Sequence, residues 1–258
     1  MKDKVAFITG GGSGIGEATA RLLAQQGAKV VISGRTKEDL DAVVQKIRDG
    51  GGEALAVAAD ISNVDDVKDA YAQIMDAYGR LDIVFANAGV NGTWAPIDEL
   101  EPDEFRKTVD INLNGTFYTI KYAVPHLRER GGSVVVTSSV NGTRNFVNSG
   151  ATAYSSTKAA QVAMTKMLAL ELAKDRIRVN VICPGMIDTQ IGENTSRENL
   201  ERAGEPVEYP AGKIPLTDGE PGSSEQVAQL VAFLASDASS HITGTEVWID
   251  GAQSLLQG

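Results

Sequence analysis

The chain has 258 residues, 42% of them hydrophobic, and a formal net charge of −10. This is enough length and apolar content for one large buried core, and the charge opposes a nucleic-acid or anionic-membrane surface as main partner. The single cysteine, Cys183, excludes an internal disulfide and a thiolate-built zinc site.

No apolar run reaches the ~18 residues a membrane span needs, and the opening MKDKVAFITG does not read as a leader. A soluble, cytoplasmic protein with no membrane or nucleic-acid partner is expected, in a reducing compartment.

In chain order, KVAFIT (4–9) reads as a strand, 15–26 as a helix stopped by Gly27, KVVIS (29–33) as a strand and 37–48 as a helix. ALAVAA (54–59) is a strand, 64–78 a helix and LDIVFA (81–86) a strand. A helix over 116–129 in spite of Pro125, the strand SVVVTS (133–138), a helix over 154–174 and the strand IRVNVI (177–182) follow. A helix over 226–235, opening at Ser224, and the strand EVWID (246–250) close the chain. Strand–helix alternation at this spacing predicts right-handed βαβ units and a mostly parallel sheet covered on both faces, an α/β domain over 1–258. The glycine- and proline-rich segment 188–224 is too long for an ordinary connection. Lying after the carboxyl end of a strand, it is a candidate substrate lid.

Gly10, Gly14 and Gly16 sit between the first strand and the first helix. Such glycines allow a tight turn and a close approach to a pyrophosphate, which the helix amino end then binds through its N–H groups and dipole. The spacing is G-x-x-x-G-x-G, and no Lys-Ser/Thr pair closes the loop, which disfavours a Walker-type site.

TGGGSGIG (9–16), NAG (87–89), YSSTK (154–158) and PG (184–185), in this order, resemble the short-chain dehydrogenase/reductase family, 3-oxoacyl-[acyl-carrier-protein] reductase-like members included. The resemblance runs from about residue 4 to about residue 251. It implies a single-domain Rossmann fold: a doubly wound, seven-stranded parallel sheet of order 3-2-1-4-5-6-7 with helices on both faces. It also implies a homotetramer or dimer, with the apolar surface of the helix over 159–172 available as an interface. Thr9, Gly10, Gly12, Ser13, Gly14, Ile15 and Gly16 would then hold a dinucleotide. Asp60 would bond the adenine amino group beside Ile61, and Asn87, Ala88 and Gly89 would lie along the cofactor. Pro184, Gly185, Ile187 and Thr189 would meet its nicotinamide end.

Cofactor choice is read at the end of the second strand, where an acid would bond the ribose 2′-hydroxyl. Gly34 stands in that place and Arg35 follows, with Thr36 and Lys37 beyond. Arg is a permanent, planar phosphate partner, so NADP(H) is expected over NAD(H), with NAD(H) possible if Arg35 stacks on adenine instead.

Tyr154 and Lys158 are spaced i, i+4, on one helical face. A phenol with a reference pKa of about 10 is a weak acid, which a nearby ammonium makes stronger. The residues alone leave a surface pair open. The resemblance makes Tyr154 the general acid and base and has Lys158 bond the nicotinamide ribose. It selects Ser139 over Ser138 as the serine holding the carbonyl oxygen, with Asn141 near the substrate. It also gives Asn112, rather than Asn114, the task of holding a helix bend and a water near the lysine.

His126 and His241 do not suggest a metal site, and Cys183 reads as packing. Trp94 and Phe146 either line the substrate cleft or anchor loops. The expected reaction interconverts a ketone and a secondary alcohol on a small molecule. The alternative is a 3-oxoacyl group on acyl carrier protein, an acidic partner that Arg128, Arg130, Lys174, Arg176 and Arg178 could receive. A cofactor-binding sensor or scaffold without turnover is the reading from another class.

Overall fold

The computed structural model describes residues 1–204 and 214–256. Seven strands among them form one parallel sheet: β1 (Val5–Thr9), β2 (Lys29–Gly34), β3 (Glu53–Ala58), β4 (Ile83–Ala86), β6 (Gly132–Thr137), β7 (Ile177–Pro184) and β9 (Glu246–Ile249). Their order is β3-β2-β1-β4-β6-β7-β9. The two numbers missing from that list are β5 (Thr93–Trp94) and β8 (Ser196–Arg197), which pair only with each other. Counting sheet strands alone, the order is the expected 3-2-1-4-5-6-7.

The strand sequences account for the layers. Every residue of β1 is buried, as two-sided cover requires, and successive side chains point to opposite faces. Val5 and Phe7 join one core with α3 (Val64–Tyr78), α5 (Gly115–Leu127) and α6 (Thr152–Leu172), through residues such as Ile74, Ile120 and Leu172. Ala6 and Ile8 join the other, with α1 (Gly14–Gln25), α2 (Lys37–Asp49) and α7 (Ser224–Ala235), through Leu23, Leu40 and Val231. Truncating Phe7 or Phe85, each almost fully buried, to alanine costs about 3–5 kcal/mol.

Sequence order reverses between β1 and β4, so the carboxyl ends of these neighbours open a crevice where the two halves of the sheet part. Everything chemically notable lies at this end.

Three local features add to the sequence reading. A helix not foreseen, α4 (Pro102–Val109), opens with Pro102 in its first turn and runs through a π-helical turn, Asp110–Asn114, directly into α5. α7 starts at Ser224, as read, and the residue before it, Ser223, caps it: the Ser223 hydroxyl accepts from the Gln226 N–H and the Gln226 side chain accepts from the Ser223 N–H. The segment 188–224 is pinned at its base, where Asp188 donates to the Gly222 carbonyl and Gly222 to that of Met186. Its part 205–213, with Pro206, Pro210 and Gly212, lies outside the described residues. Ahead of it, Leu200–Arg202 form a short 3-10 turn.

Candidate active site

The glycine loop supplies the floor. Gly10 has φ +67°, a left-handed conformation that costs other residues energy. A Cβ on Gly16 would collide with the Gly10 carbonyl, so α1 starts tight against the loop. Ser13 precedes α1 in extended conformation and makes no side-chain cap bond. The first N–H groups of α1 are therefore left for an anion.

The cleft that follows has a volume of about 340 Å³, within the usual range for small-molecule sites. It brings together nearly the whole expected set. Gly10, Gly12, Ser13, Gly14 and Ile15 line it beside Gly34, Arg35 and Thr36. Asp60 and Ile61, Asn87 to Gly89, and Pro184, Gly185, Ile187 and Thr189 continue the wall. Ser139, Tyr154 and Lys158 stand at its far end. Four expected residues are not in the wall: Thr9, Gly16, Asn112 and Asn141. Thr9 is buried behind it, and its hydroxyl accepts from the N–H of Asn87 and of Ala88 at 3.0 and 3.1 Å. It joins β1 to the β4 loop rather than facing the cleft.

The donors and acceptors in the cleft suit a dinucleotide. Asp60 spends Oδ1 on the N–H and hydroxyl of Ser62, which leaves Oδ2 for an amino group. Arg35 is exposed and has no carboxylate partner among the described residues. Lys37 does not contribute as expected: its ammonium is 2.5 Å from Asp41. An unforeseen carboxylate, Asp39, lines the same cleft as Arg35, because the start of α2 comes close to Gly12. Only the fold reveals it, since nothing local marks Asp39 apart from the neighbouring acids of a helix first turn.

At the reactive end, Ser138 and Ser139 divide. The buried Ser138 hydroxyl donates to the main-chain carbonyl of Lys158 at 2.7 Å, tying β6 to α6. Ser139 lines the cleft beside Tyr154, and its hydroxyl accepts from the Asn141 N–H at 3.1 Å. Tyr154 is 8% exposed, and burial raises its pKa, with the Ser139 hydroxyl opposing the rise. Lys158 is buried too; desolvation pushes it down to about 8. Its Nζ donates to the Thr137 carbonyl at 2.9 Å and lies 5.5 Å from the Tyr154 ring centre. Burial of the phenol therefore sets the direction for Tyr154, and the expected lowering by the ammonium does not accompany it.

Asn112 lies in the π-helical turn and is fully buried. Its side chain exchanges two bonds with the backbone of Val90, at 2.8 and 2.9 Å. Asn114 bonds Asp110 instead. Asn141 turns away, accepting from Asn148. Trp94 packs against Tyr154 with ring centres 6.5 Å apart, whereas Phe146 is 74% exposed and anchors nothing. Burial pushes the Cys183 thiol up to about 11, as befits a packing residue. Among the described residues no cluster of His, Cys, Asp or Glu could hold a metal.

A family model described as Enoyl-(Acyl carrier protein) reductase matches residues 10–252. Cyclohexanol dehydrogenase of Acinetobacter sp. is 38% identical over 98% of this chain and 95% of its own. A 3-ketoacyl-ACP reductase from Sinorhizobium meliloti 1021 superposes with a TM-score of 0.93 at 51% identity, covering 98% of this chain and 99% of that one. A 3-ketoacyl-(acyl-carrier-protein) reductase from Brucella melitensis, solved with NADH, gives a TM-score of 0.86 at 33% identity over 98% and 99%. The chain belongs to the short-chain dehydrogenase/reductase family. It is an NAD(P)-dependent oxidoreductase of the class acting on CH–OH and C=O groups, which sets aside the sensor or scaffold without turnover.

Proposed function

We propose that the protein interconverts a ketone and a secondary alcohol, prefers NADP(H) to NAD(H), and uses Tyr154 as general acid and base. One observation carries this: the Tyr154 side chain, with Lys158 Nζ 5.5 Å from its ring centre, stands in the same cleft as Ser139 and the glycine loop.

When bound, the nicotinamide gives or takes the hydride. The protein's own groups manage the oxygen. Reduction builds negative charge on the carbonyl oxygen, and the Ser139 and Tyr154 hydroxyls are two donors set to meet it. Tyr154 then releases its proton from Oη to that oxygen. Below about pH 8 Lys158 is an ammonium and favours the tyrosinate left behind. Ser139 keeps its role because Ser138 is already engaged with Lys158. Exposed Arg35 supports the preference for a 2′-phosphate, and Asp39 tempers it.

Residues 188–224 act as the substrate lid. Supporting this, β8 pairs with β5, Arg202 forms ion pairs with Asp98 and Glu99, and Asn199 donates to Glu99 at 2.7 Å. These contacts fold residues 196–202 onto the loop that carries Trp94, beside Tyr154. A cytoplasmic homotetramer completes the reading; among the described residues no helix is long and apolar enough to cross a membrane.

A 3-oxoacyl group on acyl carrier protein is the second reading. Arg130, Arg176 and Arg178 line a separate cleft at the opposite end of the sheet, with Lys4, Arg80 and His241. Of the five expected cations, Arg128 is spent on Asp175 and Arg178 on Ser239 and the Ser236 carbonyl.

The test is Tyr154→Phe. NADPH affinity, read by fluorescence, should hold, while turnover on a panel of ketones, cyclic ketones and acyl thioesters falls about 10³-fold. Turnover near the wild-type rate would remove Tyr154 from the chemistry.

A further inference from the structure

The π-helical turn and the start of α5 meet α6 along a seam that is unusually polar for a buried helix interface. Thr157, Lys158, Gln161 and Thr165 of α6 are each 3% exposed or less, as are Asn112 and Thr116 opposite them. Gln161 is the centre of this seam. Its Nε2 donates to the Asn112 main-chain carbonyl at 2.7 Å and to the Thr116 hydroxyl at 2.8 Å. The Thr116 hydroxyl donates to the same carbonyl at 2.7 Å. Two side-chain donors thus converge on one carbonyl oxygen, that of Asn112. The amide orientation is forced, because a flipped Gln161 would set its own oxygen against an oxygen that only accepts.

Gln161 holds this geometry at a cost. Its Oε1 is buried with no partner among the described residues, and a buried acceptor without a donor is unfavourable. An aliphatic side chain would fill the same volume without that penalty, so the amide must bring a compensating gain. The turn it grips supplies one. The π-helical turn Asp110–Asn114 is what aims the Asn112 side chain at Val90, and π-turns inside helices recur at functional sites. A Cβ built on Gly89 would lie 3.1 Å from Asn112 Oδ1 and 3.5 Å from Lys158 Nζ. Asn112 and Lys158 thus flank one glycine, and a shift of the turn would move the 87–90 loop against the lysine.

We propose that Gln161 is a positioning residue for the Tyr154–Lys158 pair, its amide clamping the Asn112 carbonyl and with it the turn beside Lys158. This rests on the reading of Tyr154 as acid and base. Gln161 touches neither substrate nor cofactor and acts only through Asn112.

Gln161→Met keeps the volume and removes the clamp. We expect kcat to fall about tenfold with KM and NADPH affinity within about twofold of wild type. The pH limb of alcohol oxidation should move to higher pH, since Tyr154 loses support from a displaced ammonium. Thr165→Val deletes another unpartnered buried hydroxyl from the same seam and should leave the pH profile in place, which separates the clamp from packing. If Gln161→Met does not fold, Gln161→Glu serves: its carboxyl can donate to the Asn112 carbonyl only when protonated. Activity relative to wild type should then be recovered toward about pH 6 and lost toward about pH 9, a buried carboxyl having a raised pKa. A wild-type pH profile and kcat in either variant overturns the proposal. If Tyr154→Phe abolishes turnover while Gln161→Met is normal, only the clamp fails; if Tyr154→Phe is active, the reading beneath it fails.

Discussion

The hydroxyl of Ser138 is bonded to the main-chain carbonyl of Lys158, 20 positions later in the chain, at 2.7 Å. One serine thus fastens the end of β6 to the first turns of α6, while its neighbour Ser139 lines the cleft with Tyr154. The two serines should therefore fail differently. Ser138→Ala should cost about 1 kcal/mol of stability, seen as a lower denaturant midpoint, with most turnover kept. Ser139→Ala should leave the midpoint within about 0.5 kcal/mol and lower kcat about 10²-fold. The reverse pattern in the two measurements would exchange their roles.

Lys158 is a second place where stability and function part. Burial lowers its pKa from 10.5 to about 8, so between those values the unfolded chain holds a proton that the folded chain does not. The sign follows from linkage: this group makes folding less favourable below about pH 8, and the penalty fades as pH rises from about 8 to about 10.5. At neutral pH it amounts to about 3 kcal/mol, partly offset by the bond to the Thr137 carbonyl. Lys158→Met should accordingly raise the urea midpoint at pH 7, with the gain shrinking at pH 10, while turnover collapses. A variant less stable than wild type at pH 7 would mean that the lysine is not desolvated as the fold implies.

The fold brings two charges into one cleft, Arg35 and Asp39, and the proposed NADP(H) preference makes opposite predictions for them. Losing the arginine removes charge-assisted bonds to a 2′-phosphate, so Arg35→Ala should weaken NADPH binding by about tenfold or more and change NADH binding little. Asp39→Asn removes a like charge and should tighten NADPH binding by a few-fold, roughly the effect of one screened charge. Titration of each variant with both dinucleotides decides it. Equal losses for NADPH and NADH in Arg35→Ala would reduce Arg35 to an adenine contact.

What the sequence disclosed, and what it hid, follow from the range of the forces involved. The glycine loop was readable because its turn, its close approach and its helix start are all consecutive in the chain, from Gly10 to Gly16. One helical turn fixes the relation of Tyr154 to Lys158, but spacing alone left them open to being a surface pair, and only the family resemblance gave them a role. By contrast, β5 and β8 are two residues each and exist only because residues about a hundred positions apart pair; no local pattern announces them. The α4 helix was missed because its eight residues bury only Thr108, so it has no apolar stripe to read. Asp39 became part of the site through the approach of α2 to Gly12. Gln161 sits inside an apolar helical pattern, and its partner is a carbonyl, which every residue has.

The apolar face of α6 leads to the last prediction. Met167 is 69% exposed and Leu170 80% exposed, and Ala159 and Ala163 are exposed earlier along the same helix. Phe117 of α5 adds a side chain that is 43% exposed. Small residues followed by large apolar ones let two copies of the helix pack closely, and a self-complementary patch of this kind favours a two-fold axis. Burying one leucine and one methionine per subunit contributes about 1.5–3 kcal/mol each, so charges there should break the contact. Met167→Glu combined with Leu170→Lys should lower the molar mass by light scattering from a tetramer toward a dimer or monomer. The cleft lies at the carboxyl ends of β1 and β4, away from this patch, so cofactor affinity should change by no more than about threefold. A wild-type protein that is already monomeric at assay concentration, or a double variant that keeps its full mass, would exclude α6 as the assembly surface.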